Sequence, residues 1–312
     1  MDERSAKTFI MNLKDLEEFS KKITGKLLFD YNLNKSNWFN IGGKTKIYFK
    51  PESLTDLVDF LKLFNKRGRI FVLGAGSNVL FEDSCFDGVV IKLGKNFSKL
   101  SILNDEIVIA GSGAQDKKLS EFACENSLSG FEFLSCIPGT VGGGIRMNSG
   151  CFESEFKDII LSVQTIDTLG NVITIPRNQI KFDYRKCNLN NNLIFLSASF
   201  KGYKNDKKLI SQKMISLKFK KEQAQPTKIK TGGSTFKNPV DQTNKKVWEL
   251  IKSSVPLDTR FGDATISEKH CNFFINKNKA TCRDMKKLIN FVKEKVFAST
   301  GVRLSLEIIL VE

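Results

Sequence analysis

The 312-residue chain holds a single histidine, His270. One imidazole gives no basis for a Ser-His-Asp triad, an HExxH zinc helix or a histidine-rich metal cage, so no metal is expected. The chemistry falls instead to carboxylates, hydroxyls, arginine or a bound cofactor. The seven cysteines (85, 124, 136, 151, 187, 271 and 282) form no Cys-x-x-Cys pair, and an odd number cannot all pair internally. Free thiols in a reducing compartment are the expectation. No stretch reaches the roughly 20 apolar residues of a membrane span. The opening Met-Asp-Glu-Arg-Ser lacks the apolar core of a secretion signal, so the expected location is the cytoplasm. Internal repeats and low-complexity tracts are absent as well.

What is present suits a folded protein: 41% hydrophobic and 27% charged residues, over a length that divides naturally into two or three domains. The 49 Lys+Arg outnumber the 34 Asp+Glu, giving +15. Such a balance raises nucleic acid as a partner, but the basic residues are scattered through segments such as 204–208, 218–221 and 277–279. They build no arginine stripe and no interleaved aromatic platform. Nucleic acid is therefore not expected. The excess reads either as compositional drift toward Lys, Asn, Ile and Phe or as charge that serves phosphate-rich ligands.

Periodicity orders the elements. Residues 1–35 read as a leader helix (Leu13, Leu16, Phe19) and a polar connector. A strand through Thr45, Ile47 and Phe49 follows the Gly42-Gly43 turn, and Ser53 caps a helix carrying Leu54, Leu57, Leu61 and Phe64. Further strands are predicted at 70–73, 89–93, 106–110 and 193–200, with a helix over 117–126. Gly170-Asn171 joins 160–168 to 172–175 as a hairpin. A Lys-rich helix over 207–223 ends before Pro226 and marks a boundary. The last third holds a helix near 245–253, a strand over 273–276, a helix with Met285, Leu288, Ile289, Val292 and Val296 on one face, and a strand over 304–311. This alternation predicts an α+β or α/β sandwich.

Five places could carry chemistry. Gly74-Ala-Gly-Ser-Asn78 follows a strand and reads as a backbone nest for phosphate or as a mere tight turn; it is neither a P-loop nor G-x-G-x-x-G. Ile137-Pro-Gly-Thr-Val-Gly-Gly-Gly144 has the freedom to lie along an extended ligand, or it is a crossover without one. Tyr184-Arg185 offers a guanidinium for a carboxylate, though a surface arginine is the commoner outcome. Gly232-Gly-Ser234 lifts a hydroxyl on a turn, with Lys237 and Asn238 close by; such turns are also purely structural. Alternation places Glu307 on a strand face among apolar neighbours, either buried as an acid or facing water from an edge.

Taken together the segments resemble one family, the bacterial UDP-N-acetylenolpyruvoylglucosamine reductases, whose flavin domain is of the vanillyl-alcohol-oxidase (PCMH) type. The marks are Phe39-Asn-Ile-Gly-Gly43, Gly74-Ala-Gly-Ser-Asn-Val-Leu80, Ile137-Pro-Gly-Thr-Val-Gly-Gly143, Tyr184-Arg185, Gly232-Gly-Ser-Thr-Phe-Lys-Asn-Pro239, Gly262-Asp-Ala264 with Ser267-Glu-Lys-His270, and Leu306-Glu-Ile308. They run in order over nearly the whole chain.

The resemblance implies an α+β protein: an N-terminal helix and connector (1–35), a two-part FAD-binding module (36–95 and 96–204) and an α/β substrate-binding domain (205–312). It implies non-covalent FAD, held by Gly74, Ala75, Gly76, Ser77, Asn78, Gly139, Thr140, Gly142 and Gly143, with NADPH as co-substrate. It implies that hydride passes from the flavin to a UDP-sugar enolpyruvyl ether, that Ser234 donates the proton, and that Arg185 and Glu307 polarise the substrate carboxylate. Tyr184, Lys237 and Asn238 fall on the substrate side. The expected partners are the UDP-sugar and NADPH, with no nucleic acid and no membrane, for a monomer. The interval from Arg185 to Ser234 fits the family's short form, without a tyrosine-bearing lid. Three stretches depart from the family pattern: 148–155, Cys187 where Ser is usual, and Val255-Pro-Leu-Asp-Thr259 in place of a Gly-rich turn. The alternatives are a sugar or alcohol oxidase of the same fold, or a non-catalytic basic nucleotide- or RNA-binding protein.

Overall fold

The computed structural model describes residues 13–312; the first part of the expected leader helix and the opening segment read for a secretion signal lie outside the described residues. The chain forms two compact units interleaved in sequence. The first ends its opening segment at Tyr31 and adds Thr45–Ala75 and Asp87–Phe219; the second takes Asn32–Lys44, Gly76–Phe86 and Lys220–Glu312.

In the first unit, a four-stranded sheet runs in the order Lys26–Asn32, Lys44–Lys50, Phe86–Ile91, Arg69–Val72, the last two parallel. Helix α1 (Leu13–Lys22) and helix α2 (Leu54–Phe64) cover it, and Leu16, Phe49, Leu57, Phe60 and Phe64 are buried together. The Ser53 side chain accepts the Asp56 N–H at 3.0 Å, so the predicted cap is made as the sequence indicates. An antiparallel five-stranded sheet has the order Val172–Pro176, Ile160–Ile166, Ile194–Lys201, Ile107–Gly111, Leu100–Leu103. Its core joins helix α3 (Asp116–Glu125) and helix α4 (Val141–Arg146) through Leu119, Ala123, Val141, Ile145 and Phe156.

Helix α4 is a departure from the expected Gly-rich loop. Each glycine costs a helix about 1 kcal/mol relative to alanine, yet three stand in succession here. Packing accounts for two of them: a β-carbon on Gly144 would overlap the Phe156 ring, and one on Gly142 would sit 3.1 Å from the Ser112 β-carbon, whereas Gly143 meets only the Thr140 Oγ1 at 3.5 Å. Backbone bonds from Val141 N–H to Ala114 O (2.9 Å) and from Gly142 N–H to Ser112 O (2.8 Å) fasten the segment. Helix α5 (Lys207–Ala224) follows the sheet and buries only Ile210 and Met214. The interval from Arg185 to Ser234 is thus occupied by a hairpin, a strand and this helix.

In the second unit, an antiparallel sheet runs Thr231–Ser234, Phe273–Asn276, Ala264–Ile266, Arg260–Phe261. Helix α6 (Val247–Ser254) and helix α7 (Cys282–Thr300) pack beside it, and the predicted stripe of Met285, Leu288, Ile289, Val292 and Val296 lies wholly in this core. A parallel pair joins Val79–Phe81 to Ile309–Val311. Two local readings change here. Gly232-Gly-Ser234 belongs to a strand, with an irregular register between Thr231 and Ser234 where Gly233 takes φ 77. The expected strand over 304–311 is regular only at Ile309–Val311.

The packing of α4 predicts that Gly144→Ala destabilises the chain by about 1–3 kcal/mol despite alanine's better helix propensity, because the core is overfilled. Urea unfolding midpoints would measure this, and a gain in stability would show that the Phe156 ring can move aside.

Candidate active site

The loop after the strand Arg69–Val72 brings Gly74 against Thr140. A β-carbon at Gly74 would lie 2.5 Å from the Thr140 Oγ1, so a larger residue there would have to turn the Thr140 hydroxyl aside. The backbone N–H groups of Gly74, Ala75, Gly76, Ser77 and Asn78 donate to no acceptor among the described residues. Successive unspent amides of this kind bind anions, phosphate above all. The chain passes from the first unit to the second between Ala75 and Gly76.

In the second unit Ser234 and Glu307 stand on adjacent backbones. The Glu307 N–H donates to Thr235 O (2.9 Å), the Lys237 N–H to Ser305 O (2.9 Å), and Phe236 bridges to Leu306. Beyond Glu307 the chain changes partner: Asn78 Nδ2 donates to Glu307 O (3.0 Å), and the Ile309 N–H donates to Asn78 O (2.9 Å). Glu307 therefore occupies a bend between two pairings rather than the strand face that alternation predicts, and it is half-buried.

Ser234 is half-buried too. The residues after it are locked by Asn272, whose Oδ1 accepts the Phe236 N–H (3.0 Å) and whose Nδ2 donates to Phe236 O (2.9 Å). With no histidine bonded to it, the Ser234 hydroxyl is unsuited to nucleophilic attack but can supply a proton. Asn238 turns its Oδ1 to the Val247 N–H (3.0 Å), holding the first turn of α6.

Tyr184 and Arg185 form the tip of a hairpin between Phe182–Asp183 and Lys186–Cys187 in the first unit, and Arg185 takes φ 55. Its guanidinium lies 5.1 Å from the Tyr184 ring. Arg185 Nη2 donates to Gly150 O (3.1 Å), and Nη1 lies 3.8 Å from Glu155 Oε1.

Sequence reasoning did not single out Asp116. Its side chain is fully buried at the start of α3, and neither carboxyl oxygen has a hydrogen-bond partner. A β-carbon on Gly139 would come within 2.5 Å of its Oδ2. Ser120, one turn along the same helix, is also buried and unpartnered. Burial alone raises the Asp116 pKa well above the usual aspartate range, so the carboxyl is held neutral beside the 139–143 segment. An isolated Asp-Lys-Lys offers no signal for this in the sequence; only the fold buries it.

Residues 225–311 match the family described as UDP-N-acetylenolpyruvoylglucosamine reductase, C-terminal domain, and residues 45–176 match the FAD binding domain. The chain is 60% identical over 298 residues to the UDP-N-acetylenolpyruvoylglucosamine reductase of Pelagibacter ubique, covering 96% of this chain and 99% of that protein. The chain belongs to the UDP-N-acetylenolpyruvoylglucosamine reductase family. The Rickettsia typhi member is 45% identical over 286 residues, covering 92% of this chain and 96% of its own length. The crystal structure of the Thermus caldophilus reductase superposes with a TM-score of 0.80 at 26% identity, covering 93% of this chain and all of that one (100%). The protein is thus an oxidoreductase of this family with FAD as its cofactor. The unspent amides from Gly74 to Asn78 and the close approach of Gly74 to Thr140 are the features that fit such a group.

The neutral Asp116 has a consequence for stability. In the unfolded chain this carboxyl ionises near pH 4, whereas in the fold it keeps its proton to a higher pH. Unfolding then releases a proton, and stability falls as pH rises through that window. Asp116→Asn removes the slope. Urea unfolding at pH 5 and pH 8 should show the variant gaining on the parent chain as pH rises, by an amount on the order of 1–3 kcal/mol. A difference that does not change with pH would overturn this.

Proposed function

We propose that the chain reduces the enolpyruvyl group of UDP-N-acetylglucosamine enolpyruvate to the lactyl group of UDP-N-acetylmuramate, with NADPH as reductant, in the cytoplasmic synthesis of peptidoglycan precursors. The observation that carries this reading is the backbone join that sets Ser234 beside Glu307, with Asn78 of the glycine-rich loop bonded to the same glutamate. When bound, FAD supplies hydride transfer from NADPH to the methylene carbon of the enolpyruvyl group. Ser234 delivers a proton to the neighbouring carbon. Arg185 pairs with the substrate carboxylate and, with Glu307, stabilises the charge that develops there.

Tyr184, Lys237 and the free end of the Asn238 amide hold the UDP-sugar. The amides of Gly74, Ala75, Gly76, Ser77 and Asn78, with Gly139, Thr140, Gly142 and Gly143, hold FAD. In this reading residues 36–204 serve the flavin, except that Tyr184 and Arg185 reach the substrate, and 205–312 serve the substrate, in a monomer that needs neither nucleic acid nor membrane. Among the described residues, no helix is long and apolar enough to cross a membrane.

The purified protein should be yellow, bleach with NADPH under anaerobic conditions and recolour on addition of the enolpyruvyl UDP-sugar. Colourless protein that cannot be reconstituted with FAD, or recolouring by other acceptors alone, would refute the proposal. Ser234→Ala should leave bleaching by NADPH within about twofold while slowing recolouring by roughly 10²–10⁴-fold, the usual worth of a positioned proton donor. Equal losses in both half-reactions would remove Ser234 from the protonation step.

A further inference from the structure

We propose that Glu155 is a positioning residue for the reaction: it fixes the guanidinium of Arg185 in the direction from which that side chain meets the substrate carboxylate. The inference rests on the reading of Arg185 given above. Arg185 stands at a hairpin tip in a left-handed conformation, so its backbone leaves a long side chain to be aimed by its contacts. Two of those contacts lie on one short ladder. Gly150, whose carbonyl accepts Nη2, pairs directly with Glu155, whose carboxylate faces Nη1 at 3.8 Å. Both side chains of the ion pair are largely buried, 19% and 18% exposed, where a charge pair is screened less than at the surface.

Glu155 is itself immobilised. Its Oε2 accepts from Asn148 Nδ2 (2.9 Å) and from Lys157 Nζ (2.6 Å), and its backbone N–H donates to Asp158 Oδ2 (2.8 Å). Asn148 is wholly buried. Its Nδ2 also donates to Asp183 O (3.2 Å), two residues before Arg185, and its Oδ1 accepts the Lys157 N–H (3.0 Å). One buried amide thus ties the carboxylate to the hairpin whose arginine it orients. The charges give the arrangement its sense: Lys157 and Arg185 share the Glu155 carboxylate, and without it the two cations repel.

Three single variants and one double variant test this: Glu155→Ala, Glu155→Gln, which keeps the shape and the Asn148 contact should the alanine variant fail to fold, Arg185→Met, and Arg185→Met combined with Glu155→Ala. The readouts are flavin bleaching by NADPH, flavin recolouring by the enolpyruvyl UDP-sugar, and binding of UDP-N-acetylglucosamine, which lacks the carboxylate. Glu155→Ala and Glu155→Gln should slow recolouring by roughly 10- to 100-fold, as supporting residues of oriented groups do, while bleaching and binding of the carboxylate-free ligand stay within about twofold. The double variant Arg185→Met/Glu155→Ala should be no slower than Arg185→Met alone, because the glutamate acts only through the arginine. Losses that multiply in the double variant, or recolouring unchanged in both Glu155 variants while Arg185→Met is slow, would overturn the inference and leave the role of Arg185 standing. Normal recolouring in Arg185→Met would instead remove the reading on which it rests.

Discussion

The second unit depends on how the last residues of the chain divide their hydrogen bonds. Ser305 and Glu307 are bonded to Lys237 and Thr235; two residues on, Ile309–Val311 pairs in parallel with Val79–Phe81, and the Glu82 N–H closes on Val311 O. A segment that serves two partners must change direction between them, and the bend falls at Glu307. The Glu307 backbone is thereby held by hydrogen bonds on both sides of the bend. The segment also buries Leu304 and Ile308 in the same core as Phe236 and the α7 stripe. Moving Glu307 would mean breaking main-chain bonds together with apolar packing, two terms that each weigh against displacement.

In the first unit the fixed quantities are close approach and charge. Gly74 comes close to the Thr140 hydroxyl, and Gly142 and Gly144 bring α4 against Ser112 and Phe156. Ionic groups here are handled in three ways. Arg146 is desolvated, which lowers its pKa, and it is satisfied by the carbonyls of Leu189, Asn190 and Leu193 and by the Phe195 ring at 4.2 Å. Glu132 is buried but accepts from Ser129 and the Gly130 N–H, so its pKa falls in spite of the opposing desolvation. Asp116 has no such partner and stays neutral. Two carboxyls with little exposure thus shift in opposite directions, Glu132 downward because Ser129, Gly130 and the Lys213 ammonium favour its charged form, and Asp116 upward because nothing does.

Much of this was legible in the sequence where a local rule applies. The Ser53 cap, the Gly170-Asn171 hairpin, the strand over 273–276 and the apolar stripe of α7 all follow from residues within a few positions of one another. What was not legible depends on partners far away in the chain. Val79–Phe81 is a strand only because residues 309–311 pair with it, and Asn78 and Glu307 are 229 positions apart. Two of the three consecutive glycines of α4, Gly142 and Gly144, stand where Ser112 and Phe156, distant in the chain, crowd any β-carbon. The order of the motifs identified the family, whereas the supports of Arg185 lie in a stretch that reads as departure from the family pattern.

The geometry explains how that stretch can vary without loosening the arginine. Between the anchors Gly150 and Glu155 the chain turns through Phe152 and Glu153, at φ 51 and 66, and the Phe152 side chain is 43% exposed. Side chains held in the left-handed region cost roughly 1–2 kcal/mol each, a loss in stability confined to a turn. The ladder below it, Gly150 with Glu155 and Cys151 with Ser154, keeps its register, and Cys151 donates its thiol to Phe133 O at 3.3 Å. A change at the tip strains only the local backbone, whereas one at the base reaches Gly150 and Glu155, which meet the Arg185 guanidinium, or Asn148, which holds Glu155.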